Sequence, residues 1–309
     1  MSQINKPFGL KELISPLTIE DFIKEHWILN LPAVIHSNLD RFKEFPSLQK
    51  LLLIKEFAPH YYGRVSMIHP NGSAIDVQSG SEALPYLNMG YTVYFRHIQN
   101  HFPEIRGVLD QLAFDLSMPP NQFTAEIFTS SGLSGVPFHS DYDLNISLLL
   151  SGERKEWTYA KNDSISNQTG ICMPADRDQI EPKQMEYLTD TPLPKEMPAN
   201  SVTGALRPGD LIFMPRGWWH TTHSVGECLC VNFVMKGPHW ARLLSMALEK
   251  ELTSDSIWRE YPYWVAAKGK EKRIAVQKLE KLMEGLKASF ARMSAHELAE
   301  KYIQKYLND

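Results

Sequence analysis

Apolar positions along this chain keep two rhythms, one helical and one extended. Near the start, Ser15-Pro16-Leu17-Thr18 precedes Ile19, Phe22 and Ile23, with Thr18 as an N-cap and Asp21 three positions on, which predicts a helix start. Trp27, Leu29, Leu31, Ala33 and Ile35 then alternate, and Pro32 inside the run predicts a short edge strand. Residues 48–57 return to a helical pattern. From about residue 61 the period shortens to two. Strand-like runs at 61–68, 91–95, 123–129, 145–150, 157–160, 211–214 and 228–235 lie between glycine-bearing turns, with one helix predicted at 102–116. Many short strands spaced by turns predict an antiparallel barrel or sandwich. The polar, proline-bearing stretch 161–205, which includes Pro174 and Pro182, reads as long surface loops.

After Gly237-Pro238 the helical rhythm returns. A helix is predicted at 240–252, and Ala275, Leu279, Leu282, Leu286, Phe290 and Met293 form one apolar stripe opposite Lys278, Glu280, Lys281 and Glu284. Three regions follow from this pattern: an N-terminal helical and edge-strand region at 1–60, a β core at 61–238, and a helical region at 239–309.

Composition narrows the function classes. With 43% apolar and 22% charged residues in 309, the chain can bury a sizeable core. A net charge of −4 argues against a basic nucleic-acid binder and against a polybasic membrane-surface protein. No apolar run approaches the roughly 18 residues that span a bilayer. The opening MSQINKPFGLKEL has no basic-then-apolar leader, so the cytoplasm is the expected compartment. Cys172, Cys228 and Cys230 form no disulfide framework. Cys228 and Cys230 would share one strand face, and they read as buried thiols.

The candidate chemistry lies in two places. In His139-Ser140-Asp141, residues two apart on a strand point the same way, so an imidazole and a carboxylate converge. Far along the chain, Arg207-Pro208-Gly209-Asp210 forms a turn, Leu211 to Met214 a buried strand, and a second turn leads through Trp218 and Trp219 to His220. Antiparallel strands of one barrel can bring the two sites together. Two histidines and one carboxylate suit ferrous iron and leave coordination positions open for a bidentate co-substrate and dioxygen. A closed structural zinc site would need four protein ligands. His223, three residues past His220, is a rival third ligand.

On these residues the chain resembles the JmjC group of iron(II)- and 2-oxoglutarate-dependent oxygenases. Within that group it is most similar to the ribosomal oxygenases and the factor-inhibiting-HIF-like asparaginyl hydroxylases. The likeness spans roughly residues 12–238. Its further carriers are the opening LISPLTIEDFIKEHWILNLPAVI, the stretch from Gly152 to Trp157, and Pro215 to His220.

The resemblance implies a mainly β fold with flanking helices: a double-stranded β-helix, the cupin or JmjC jelly roll, followed by a C-terminal helical unit. It implies Fe(II), 2-oxoglutarate and O2, with 2-oxoglutarate decarboxylated to succinate and a side chain in a protein or peptide hydroxylated. A free amino acid, a small molecule or an RNA base is the alternative substrate, and a non-catalytic cupin-like binding protein the alternative function.

The family places its third ligand at a strand entry, which favours His220 over His223 beside His139 and Asp141. Counting from the first ligand puts the co-substrate's basic anchor at Arg154, the preferred choice, whereas the family's basic-x-Trp phrase selects Lys155. Asn145, Asn232 and Tyr94 match co-substrate-facing positions, unless the two asparagines bond to each other. Arg96 and Trp218 are the expected substrate contacts. Val136 stands where the asparaginyl hydroxylases carry threonine, a departure within the carboxylate-binding set. The tail is shorter than the winged-helix region of ribosomal oxygenases. Its stripe either joins two copies as a homodimer or packs on the barrel.

Overall fold

Strand alternation divides the residues of this protein between two buried environments. The computed structural model describes residues 8–300 other than 44, 50, 52–53, 120, 133, 174–186, 238, 264, 293 and 298. Pro174, Pro182, Pro238, Met293 and part of the helical pattern at 48–57 therefore lie outside the described residues. Among the described residues ten strands form: β1 (Ala33–Ile35), β2 (Tyr62–Ile68), β3 (Ala74–Ser79), β4 (Thr92–Phe95), β5 (Phe123–Ser130), β6 (His139–Ser140), β7 (Leu144–Ala160), β8 (Val202–Leu206), β9 (Leu211–Met214) and β10 (Trp219–Met235). They pair in the order β1-β9-β7-β10-β5-β4-β2-β3, with β6 added to β10 and β8 to β7. Every pairing is antiparallel. This is the expected mainly β architecture with flanking helices.

One face of the sheet is apolar. Val65 and Met67 of β2, Phe95 of β4, Ile127 of β5, Ile146 and Leu148 of β7 and Phe233 of β10 are buried in one cluster. The cluster also takes in Leu10, Leu13 and Ile14 of the helix Leu10–Ile14, and Ile105, Leu109 and Leu112 of the helix Pro103–Asp115. The Leu10 N–H donates to Asp115 Oδ2 at 2.8 Å and ties these two helices together. The intervening residues of the same strands, among them Ser66, Tyr94, Glu126, Ser147 and Asn232, occupy the opposite face.

Two strands are much longer than their apolar runs predicted. The runs at 145–150 and 157–160 are two halves of β7, and 228–235 is the second half of β10. These strands pair along their length, with register shifts between Val225 and Cys228 and between Leu229 and Cys230. Gly152 sits at the shift with φ +122°, and a Cβ there would lie 2.2 Å from the Glu227 carbonyl oxygen, so only glycine lets the strands cross this closely. The glycine-bearing turn read between the runs 145–150 and 157–160 is a bulged bend in a continuous strand.

The strands β3 and β8, absent from the sequence reading, are short and mostly exposed. The helix Gly80–Asn88 was also missed. Its N-cap Ser79 accepts the Glu82 N–H. Thr18 caps the helix Ile19–Phe22 as expected, accepting the Asp21 N–H at 3.1 Å.

The chain separates into two compact units, Met1–Gly237 and Pro238–Asp309. In the second, the helices Trp240–Leu252 and Gly269–Arg292 carry half-buried Ala275, Leu282 and Leu286 and exposed Leu279 and Phe290, and no described residue is buried. No helix of the described residues is long and apolar enough to cross a membrane.

Candidate metal centre

The two-residue strand β6 lies against the entry of β10, with His139 directly opposite His220. Asp141 follows where the pairing ends, and its carbonyl accepts the Gly217 N–H at 2.8 Å, closing the turn that leads into β10. Residues remote in sequence thus converge. Asp141 Oδ2 is 3.5 Å from His139 Nε2 and 3.6 Å from His220 Nε2, and the three ligand atoms lie within 4.8 Å of one another.

Each imidazole is oriented from behind. His139 Nδ1 donates to the Pro137 carbonyl at 2.7 Å, and His220 Nδ1 donates to the Trp218 carbonyl at 3.0 Å. A carbonyl can only accept, so in each neutral ring the Nε2 lone pair turns toward Asp141. Trp157 stacks over His220 with centroids 5.5 Å apart.

Electrostatics separate the two rings. Burial works to lower the His139 imidazole, but Asp141 and the Pro137 carbonyl outweigh it and raise it above the usual range. Burial, then the charge of His139, presses His220 down to about 4. Burial works to raise Asp141, but His139, with His220 and Lys236 adding, brings it down to about 2. Two imidazoles and an ionised carboxylate facing one point, with no further protein ligand among the described residues, form a site for a divalent transition metal that keeps positions open. His223 is exposed, one step out of phase with His220, and takes no part.

A cavity of about 680 Å³ opens beside His139 and Asp141. Tyr94, Arg96 and Asn145 line it. Tyr94 stacks on Phe128 at 4.2 Å, and the Arg96 guanidinium lies 4.2 Å over the Tyr94 ring. Burial, with Glu126 adding, pushes the Tyr94 hydroxyl well above its usual range. Asn145 Oδ1 is buried without a partner. Asn232 is buried and accepts from Ser147 Oγ at 2.7 Å, so the two asparagines do not bond to each other.

Two expectations need correction. Arg154 is half-exposed, pairs with Glu156 at 3.0 Å, and lines a different cavity with His36, Arg207 and Asp210. Its neighbour Lys155 is only 3% exposed, on the face that carries Trp157 and Ser224, with no ion pair or hydrogen bond among the described residues. Alternation past the Gly152 bulge sends the two cations to opposite sides. Trp218 also misses the cavity. Its Nε1 donates to the Asn30 carbonyl at 2.9 Å, which holds the ring beside Trp27 and Arg216 in another cleft. The tryptophan at the metal centre is Trp157, whose buried Nε1 has no acceptor among the described residues.

Further cavity residues escaped the sequence reading. Glu126, 4% exposed, pairs with Lys236 at 3.1 Å, and Arg64 pairs with Asp76 at 2.7 Å. The Asp143 carboxyl is raised to about 7 by burial, with Asp141 and Glu126 adding and Lys236 opposing. A charged residue inside the apolar run Phe123 to Thr129 was the readable signal for Glu126. Arg64, Asp76, Asp143 and Lys236 sit in segments where charge is unremarkable.

Comparison with known proteins bears on fold and family. The family described as "Cupin-like domain" matches residues 74–235. The uncharacterized protein YxbC of Bacillus subtilis (strain 168) is 26% identical over 261 residues, spanning 81% of this chain and 78% of its own. Two solved structures of YcfD, a ribosomal oxygenase from Escherichia coli, align at 14% identity. The complex with cobalt and 2-oxoglutarate covers 94% of this chain and 71% of that one with a TM-score of 0.54. The complex with cobalt and succinic acid covers 94% and 70% with a TM-score of 0.53. At such identity the likeness is one of fold.

Proposed function

The chain belongs to the cupin-like domain family, and from that premise we propose that it is an iron(II)- and 2-oxoglutarate-dependent dioxygenase that hydroxylates a side chain in a protein or peptide. The observation that carries the reading is the convergence of His139 Nε2, His220 Nε2 and Asp141 Oδ2, with Trp157 stacked on His220 and the buried Lys155 two residues before it on the same strand. The donor set fits the group. Imidazole and carboxylate suit ferrous iron. A buried amine with no anion is costly, as is a buried N–H with no acceptor. Lys155, a buried cation with no ion pair among the described residues, and Trp157 Nε1 lie two residues apart on one strand face, and the distal carboxylate of 2-oxoglutarate answers both. Support for the substrate class is the ribosomal oxygenase among the neighbours of this fold.

When bound, iron(II) with 2-oxoglutarate and dioxygen supplies the oxidising power that releases succinate and hydroxylates a C–H bond. The protein does the rest. The Pro137 and Trp218 carbonyls hold both imidazoles in the binding tautomer. Asp141, ionised above about pH 2, contributes the negative charge that balances the metal. Lys155 anchors the co-substrate, and the Trp157 ring covers His220 against water. Tyr94 and Asn145 give the co-substrate polar partners, and Arg96 meets the substrate.

Anaerobic titration tests this reading. A weak visible charge-transfer band is expected to grow only when iron(II) and 2-oxoglutarate are both present, and succinate is expected to form once oxygen is admitted. No band, together with no succinate under any condition, sinks it.

A further inference from the structure

The cavity beside the triad is lined by two clusters of charge, each one partner short. On the wall made by β2, β3 and β4, two guanidinium groups share one carboxylate. Arg64 pairs with Asp76 directly at 2.7 Å. Arg96 reaches the same carboxylate through a relay: it donates to Ser66 Oγ at 2.6 Å, and Ser66 donates to Asp76 Oδ1 at 2.5 Å. Across β5, the turn into β7 and the end of β10, two carboxyl groups share one ammonium. Lys236 holds Glu126 at 3.1 Å. Asp143 makes no ion pair and no hydrogen bond among the described residues, and its Oδ1 is buried without a partner. One wall therefore has a cation in excess and the other a carboxyl group in excess. Partly buried groups left in this state favour a ligand that completes both pairings.

We propose that this cavity binds a zwitterion, with its carboxylate on Arg96 and Arg64 and its ammonium at Asp143 and Glu126, and that this zwitterion is the oxygenase's substrate; the last clause rests on the function proposed above. Charge-assisted bonds at both ends give orientation as well as affinity, because a reversed ligand meets like charge at each wall. A volume of about 680 Å³ accommodates a free amino acid with its surrounding water, or a peptide segment bearing an acidic and a basic side chain. The two share the recognising chemistry and differ only in how the charges are linked.

Calorimetric titration of the whole 309-residue chain separates the outcomes, run once without metal and once with iron(II) and 2-oxoglutarate under argon. The probes are free amino acids, their N-acetyl and carboxamide derivatives, and short peptides carrying glutamate and lysine or neither. Free amino acids, or the doubly charged peptides, are expected to bind about tenfold or more tighter than the singly capped or neutral versions. Which of the two wins identifies the source. Asp143→Asn should shrink the penalty for N-acetylation, and Arg96→Gln should shrink the penalty for amidation, each leaving the other penalty in place. A variant that misfolds would be seen by circular dichroism, and the wild-type comparison of free and capped ligands decides without it. Equal binding of charged and capped probes, or binding of none, overturns the proposal. Because binding is read with and without cofactor, that failure is distinct from failure to bind iron and 2-oxoglutarate.

Discussion

The two faces of the central strands pose opposite problems from the same backbone. Phe233 and Asn232 are neighbours on β10, each buried. Phe233 joins an apolar cluster under the N-terminal helices, whereas Asn232 faces Ser147 and accepts its hydroxyl hydrogen. On the apolar face, burial is favourable by itself and needs only shape. On the site face every buried polar group needs a partner, and among the described residues Trp157 Nε1, Asn145 Oδ1 and Asp143 Oδ1 have none, while the buried Lys155 makes no ion pair. Three such atoms gathered near one cavity and one metal centre mark the face that ligands complete.

Substitutions on the two faces should therefore fail differently. The largest effect is expected at the triad. His139→Ala or Asp141→Ala should abolish iron(II) binding, measured by anaerobic titration, and bring turnover to background while unfolding stays cooperative. Phe233→Ala is the counterpart. Emptying that site should cost about 3–5 kcal/mol of stability in denaturant unfolding, with metal binding retained in the fraction that remains folded. If Phe233→Ala abolished metal binding at full stability, the division of labour between faces would be wrong.

The same division explains what was legible in the sequence. The apolar face writes itself as alternation in β2, β4 and β5, as an unbroken apolar run in β9 and as a helical period in Pro103–Asp115, so these elements were found nearly to the residue. His139, Asp141 and His220 were found because their spacing is itself a chemical statement. The site face is harder to read. Its strands mix polar and apolar residues, which hid the first half of β10 and broke β7 into two. The edge strands β3 and β8 are mostly exposed, with only Val77 and Leu206 packed into apolar clusters. Arg154 and Lys155 could not be told apart by counting, because the bulge at Gly152 resets which of two adjacent side chains points inward. Glu126, Lys236 and Asp143 become a cluster only when three elements meet.

A hundredfold-scale effect is expected next, at Lys155. Truncating one partner of a buried charge pair costs a few kcal/mol, so Lys155→Ala should raise the 2-oxoglutarate concentration for half-saturation on the order of a hundredfold, with iron(II) binding intact. A smaller and graded effect should come from pH. Metal binding needs neutral imidazoles, and His139 holds its proton to higher pH than an ordinary histidine, while His220 is pressed down to about 4. Below the raised value of His139 a bound metal must displace one proton, so affinity should fall about tenfold per pH unit. The second histidine joins only near pH 4, and Asp141, down at about 2, competes little before that. A slope of two protons across the whole range would mean that the rings are not separated as their surroundings dictate.

The smallest effect is the sharpest test of alternation, and it lies one residue from the hundredfold one. Arg154 is half-exposed and pairs with Glu156 in reach of solvent, an arrangement worth about 0–1 kcal/mol. Arg154→Ala should leave 2-oxoglutarate half-saturation unchanged and shift the unfolding midpoint barely at all. Equilibrium binding of the co-substrate to both variants, side by side, is the measurement. Two adjacent cations on one strand can differ this widely only if the pleat is regular beyond the Gly152 bulge. A weakened co-substrate in Arg154→Ala and a normal one in Lys155→Ala would mean that the strand is turned over there, with Trp157 carried out of the site along with Lys155.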